Sequence, residues 1–273
     1  MTAPAVSPAR PAQGAPTRPQ PTQAGPPATM DDAVAAYHEY VAERLTELRQ
    51  HVLALRANVG NGDVDSAMQA WLDAQQAWQS VGAAYGSFGD LGSAIAPGSR
   101  GLEDGAANPD FTGLRRIEYG LWHGQGAGEL IPVIDKLLTD VDALEAKLPE
   151  TAVAPSDMPL RLHEILEDTQ RDHLSGRGDQ GSGLALALAR ADVDATQEVL
   201  DMLRGLLDNL KSGFPARLDG ELAALRAAID ATQKDGAWTD YAKVALAERQ
   251  AVNAALGRAL ESLSLVPPLF STD

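Results

Sequence analysis

Cysteine is absent from the 273 residues of this chain. Its absence excludes disulfides, thiolate metal sites, iron–sulfur ligation, a cysteine nucleophile and a lipid-anchored N-terminal cysteine. Any metal must therefore be held by oxygen or imidazole. The redox compartment stays open. Basic residues are scarce as well, with 22 Lys and Arg against 38 Asp and Glu and a net charge of −16. Such a balance argues against general nucleic-acid binding, which needs cations facing phosphates, and against docking on anionic lipid. It favours solubility and the attraction of cations. No apolar run approaches the ~18 residues of a membrane span. No charged-then-apolar signal pattern opens the given sequence.

Acid is missing from one segment in particular. Residues 1–30 hold no Asp or Glu, two arginines (Arg10 and Arg18) and eight of the 17 prolines. The segment carries +2 and the remaining 243 residues −18. Its composition reads as a disordered Pro/Ala-rich linker, of the kind that follows a cleaved signal or another domain.

From Asp31 onward the chain is helical by pattern. Val34, Tyr37, Val41, Leu45, Leu48, Val52, Leu55 and Val59 recur every three or four residues and mark one stripe of a helix. Asn61-Gly62 stops it, and Asp63 can cap the next. Val64, Met68, Trp71, Gln75, Trp78, Val81 and Tyr85 carry the second stripe, interrupted by one polar residue. Residues 86–109 contain six glycines with Pro97 and Pro109. They predict an irregular connection with one short helical turn, longer than most loops and so a place to look for function. Helicity resumes over Asp110–Trp122. Leu130, Ile134, Leu137, Val141, Leu144 and Leu148 mark another helix, closed by Pro149. Further helices are expected over about 158–175, 184–212, 216–233 and 239–263, with a glycine-rich gap at 176–183. No segment alternates with period two. The fold class is all-α, built of antiparallel helices. Its body, 31–265, divides into halves of about 31–149 and 157–265, with a tail at 266–273.

Three constellations can carry chemistry. In the segment Asp110–Trp122, Arg115 and Glu118 share a helix face at i,i+3, and so do Glu118 and Trp122 at i,i+4. This pattern equally describes an amphipathic helix with a surface ion pair. His163 and Glu167 lie at i,i+4 beside Glu164, and a His with a carboxylate can hold a divalent metal. The same stretch also reads as a solvated acidic face, and it lacks the second His of the zinc-peptidase pattern. His38-Glu39, with Glu43, suits the N-terminal part of a helix on dipole grounds alone. Trp71, Trp78 and Tyr85 read as core or pocket wall.

The segment Asp110-Phe-Thr-Gly, followed by Arg116-Ile-Glu-Tyr-Gly-Leu-Trp122, resembles the signature of the imelysin-like family, specifically its EfeO type. Tyr37-His-Glu-Tyr-Val41, Gly62-Asp-Val64, Phe88-Gly-Asp-Leu91, Asp135–Val141, His163–Asp168, Asp235-Gly236 and Tyr241 agree in order and approximate spacing. The resemblance covers roughly residues 31–265. It implies two helical-bundle halves and an extracytoplasmic iron-uptake component, working beside an iron permease and a haem peroxidase. It also implies binding of iron or another divalent metal rather than catalysis. By resemblance the ligands are Glu118, Glu164, Glu167, Asp90 and His163. A cytoplasmic location remains the alternative, because no signal pattern is present in the given sequence.

Two departures bear on that expectation. The His of the family's His-x-x-Glu motif is Arg115 here, and a guanidinium cannot ligate a metal. Where the family's second helix ends in glutamates, this chain reads Gln79-Ser-Val-Gly82-Ala-Ala-Tyr-Gly86. We therefore expect Arg115 to fill the metal's region and pair with Glu118 and with Glu167. The alternative role is an anionic-ligand or partner-binding scaffold using Arg115, Arg116, Trp122, Tyr85 and Trp78, since guanidinium forks suit carboxylates and aromatic rings suit apolar faces.

Overall fold

The structure is a computed structural model that describes residues 27–151 and 153–271. The linker expected over 1–30 lies largely outside the described residues. The described residues form ten α-helices: α1 (Met30–Asn61), α2 (Val64–Gln79), α3 (Tyr85–Ile95), α4 (Gly113–Trp122), α5 (Ala127–Lys147), α6 (Met158–Asp168), α7 (Ala185–Leu210), α8 (Phe214–Asp230), α9 (Leu246–Leu263) and α10 (Val266–Phe270). Among the described residues the only β-pairing is one isolated bridge, Lys234 to Ala237. The chain is all-α.

Local chemistry sets the ends of the first helices. Thr29 and Asp32 form a reciprocal capping box at the start of α1, which satisfies backbone donors that a helix leaves open. Gly62 ends α1 in the left-handed conformation that costs glycine least. The Asp63 carboxylate then accepts from Ser66 N and caps α2. The stripe read along α1 is the buried one: Tyr37, Val41, Leu45, Leu48, Val52, Leu55 and Val59 are all in the core. Along α2 the stripe holds from Trp71, but Val64 at its start is exposed.

The region 86–109 differs from the expected irregular connection. Its first part is helical, because α3 packs on α5 and buries Phe88 and Ile95. Gly89, at φ 55°, kinks this helix. Two further differences lie near the C-terminus. Helix α9 starts at Leu246 rather than near 239, after a short 3-10 turn at Tyr241–Lys243. The expected tail contains α10, which buries Val266 and packs on α6 and α7.

Helices α1 to α5 pack chiefly on one another, as do α6 to α10, and both α1 and α2 also lie against α7. A single apolar cluster runs from Ala33 to Val266 across both groups. At the seam α6 ends in a π-helical turn, Thr169–His173. Such turns are rare and concentrate at functional sites.

Candidate functional site

The signature segment becomes α4, and two glycines fit it in place. Gly113 has φ +71°, and a Cβ there would lie 2.3 Å from the Ile95 carbonyl oxygen, so only glycine lets α4 start against the end of α3. At Gly120 a Cβ would meet Leu130 at 2.4 Å. The Trp71 indole donates to the Leu114 carbonyl at 2.8 Å and ties α4 to α2. The helix buries Leu114, Ile117 and Leu121, and Glu118 goes in with them at 2% exposure.

A buried carboxyl needs donors, and the glycine-rich segment 176–183 supplies them. Glu118 Oε1 accepts from Ser182 Oγ at 2.6 Å, from Gln180 N at 2.9 Å and from Ser182 N at 3.3 Å. Burial nevertheless pushes its pKa up to about 7, against the pull of those bonds.

Arg115, one turn earlier, does not pair with Glu118 or Glu167. Its guanidinium lies 3.8 Å from Asp172 and 3.4 Å from the Gly178 carbonyl oxygen. The i,i+3 spacing puts the two residues on neighbouring parts of α4. Glu118, however, is taken by the 180–182 backbone, whereas Arg115 meets the π turn. Glu167 is exposed and pairs with His163 at 3.3 Å. Glu164 pairs with Arg161. Asp90 is exposed on α3. The five metal candidates, Glu118, Glu164, Glu167, Asp90 and His163, are thus scattered. Among the described residues no group of three or more His, Cys, Asp or Glu is arranged to hold a metal ion.

Of the ligand candidates, Arg115, Trp78 and Tyr85 meet in one cavity of about 220 Å³. Gln75, Gln79, Ile165, Asp168, Arg171, Asp172, His173 and Asp192 also line it. Trp78 and Tyr85 stack with ring centres 4.9 Å apart, and the Tyr85 hydroxyl donates toward Trp78 O and Gln79 Oε1. Arg116 and Trp122 lie elsewhere. Arg116 binds Gln125 at 2.7 Å and sits over the Tyr119 ring. Trp122 packs edge-on against Trp71 and faces a more open depression with Trp238.

Two buried polar residues of the cavity, His173 and Asp192, escaped the sequence reading. His173 Nε2 lies 2.5 Å from Gln79 Nε2 and 3.4 Å from Asp192 Oδ2. Thr169 Oγ1 lies 2.7 Å from the same Asp192 oxygen. Burial, and then Arg115, pulls the His173 pKa down to about 3. Burial also pushes the Asp192 carboxyl well above its usual range. Both shifts favour a neutral pair. Asp192 did leave a signal, as an acid on the stripe Ala185, Ala189, Asp192, Thr196, Val199 and Leu203 that α7 buries. Its partner His173 is visible only once the π turn is known.

At the rim Arg171 serves two acids, Asp168 at 2.6 Å and Asp172 at 3.1 Å. Arg115 lies beside Asp172 as well. An unchelated cation entering here meets Arg115, and among the described residues no three ligating groups converge on it, so the residues present do not fit a bare metal ion.

The imelysin family model, labelled peptidase M75, matches residues 33–266. The chain is 27% identical over 232 residues to the iron uptake system component EfeM of Pseudomonas syringae pv. syringae, covering 85% of this chain and 81% of that protein. It is 24% identical over 245 residues to the iron uptake system component EfeO of Escherichia coli K12, covering 90% of this chain and 65% of that protein, slightly under two thirds of EfeO. Among solved structures, an imelysin-like protein from Psychrobacter arcticum 273-4 superposes with a TM-score of 0.61 at 15% identity, over 90% of this chain and 98% of that one. A structure from Parabacteroides distasonis gives 0.62 at 12% identity, over 92% and 97%. At such identities the two structures speak for the fold alone. On the extent of the family match, this chain belongs to the imelysin family.

Proposed function

We propose that the chain is a non-catalytic component of an iron-uptake system outside the cytoplasmic membrane, with the chamber under Arg115 as its ligand site. In this reading it works beside an iron permease and a haem peroxidase. One observation carries the proposal. Arg115 of the signature segment lines a partly open cavity of mixed polar and apolar lining, in a chain whose relatives are named as iron uptake system components. Among the described residues no helix is long and apolar enough to cross a membrane.

Radiolabelled iron uptake by cells lacking the gene tests the role. Uptake under iron limitation falls without the chain and returns when it is resupplied. Uptake unchanged by deletion overturns the proposal.

A second reading is favoured by Arg115 itself. By the resemblance Arg115 stands where the family's motif has histidine, and this supports a chain that handles its cargo without coordinating the bare ion. Calorimetric titration with Fe(III), Zn(II) and Cu(II) tests this second reading. Micromolar 1:1 binding that disappears in Glu118→Ala sinks the second reading, and no saturable heat supports it.

A further inference from the structure

We propose that the chamber binds a small organic carboxylate that also bears a hydrogen-bond donor, as hydroxy acids and amino acids do. Arg115 holds the carboxylate, and the side-chain oxygen of Gln75 accepts from the donor. The inference rests on the reading of the chamber as a ligand site, and not on the uptake role.

Two unmet hydrogen-bonding groups define the ligand. The first is Arg115, which offers five N–H groups in a rigid fork. The protein gives it one carbonyl at 3.4 Å and a carboxylate no closer than 3.8 Å. The second is Gln75, only 2% exposed, whose Oε1 has no hydrogen-bond partner. Its amide nitrogen already donates to Gln79 Oε1 at 3.4 Å. Buried acceptors are costly to leave unmet, so an orphan carbonyl on a cavity-lining residue marks where a donor belongs. Arg115 and Gln75 line the same cavity.

The other polar groups are engaged among themselves. Arg171 holds Asp168 and Asp172. Asp192, His173, Gln79 and Thr169 form a connected buried network. The guanidinium fork of Arg115 therefore suits a bidentate carboxylate. Trp78, Tyr85 and Ile165 give an apolar wall for a short carbon skeleton. At about 220 Å³ the chamber lies below the ~300 Å³ where clefts for drug-sized ligands begin, which confines the occupant to a small molecule.

Calorimetry on the full chain tests the proposal with three matched series. L-lactate and L-malate carry a hydroxyl, L-alanine and L-aspartate an ammonium, and propionate and succinate neither. One donor-bearing series is expected to bind 1:1, at least about tenfold more tightly than the plain acids. The series that binds identifies the donor. Arg115→Gln weakens that binding about tenfold or more. Gln75→Leu, of similar size, brings donor-bearing and plain acids to equal affinity. Helical circular dichroism and the melting temperature verify that both variants fold. The proposal is overturned if neither donor-bearing series binds, if plain acids bind as well, or if a folded Arg115→Gln binds as the parent does. Iron uptake measured in the same variants separates this outcome from failure of the uptake role.

Discussion

Glu118 is a carboxyl held in a place that resists its charge. Folding lifts its pKa from 4.5 to about 7. Between those values the folded chain keeps a proton that the unfolded chain has released. Stability therefore falls as pH rises through that window, and the whole penalty stands above it. The shift corresponds to about 3 kcal/mol at ~1.4 kcal/mol per unit. Glu118→Gln keeps an acceptor for Ser182 and Gln180 and does not ionise. Urea unfolding at pH 5 and pH 8 should show the parent losing up to about 3 kcal/mol relative to this variant. The same pH dependence in both proteins would falsify this account. Trp71 supplies a second test at this scale. Trp71→Phe keeps a ring in the core but removes the indole bond to the Leu114 carbonyl, which retains its intrahelical partner, at a cost of about 0.5–1.5 kcal/mol by chemical denaturation. A loss close to zero would show that α4 is held by packing alone.

Among the elements, α4 depends on the glycine at its first position. Gly113→Ala must accept a positive φ and drive a Cβ into the Ile95 carbonyl, and should cost about 3 kcal/mol or more. Gly124 shares the positive φ, at +72°, but has no neighbour within 4 Å. Gly124→Ala should cost only about 1–2 kcal/mol, the conformational penalty without the clash. Equal losses by differential scanning calorimetry would refute the steric part of this argument. The same scale explains what could be read in advance. Helix α1 was legible because its whole inward face is a regular apolar stripe, and its stop at Gly62 is a local backbone requirement. Helix α3 was not, because its glycines argue against a helix and only its packing on α5 and the burial of Phe88 and Ile95 override them. Within the site, Arg115, Tyr85 and Trp78 could be named from the sequence. The His173–Asp192 pair could not, since it exists only where the π turn meets α7. The scattering of Asp90, Glu164 and Glu167 was equally hidden, because helix spacing does not say which charged neighbour on the same helix takes each acid.

For the molecule as a whole, the continuous core decides how it unfolds. The apolar cluster is continuous from the α1–α5 group to the α6–α10 group, so neither group presents a finished surface to the other. Heating should therefore give one cooperative transition with matching calorimetric and van't Hoff enthalpies. Two resolved transitions would show that the groups melt separately. The chamber lies on this seam, lined by residues of α2, α3, α4, α6, the π turn and α7. Its shape is thus a property of the whole fold.

The π turn also bears on how such a chamber changes over evolution. A π turn is an α-helix carrying one residue too many. Losing a single residue from this turn would restore regular winding and change which side chains of 169–173 face Asp192 and Gln79. One codon gained or lost could thus replace several lining groups at once, so the length of this segment is as heritable a determinant of the ligand as the residues within it.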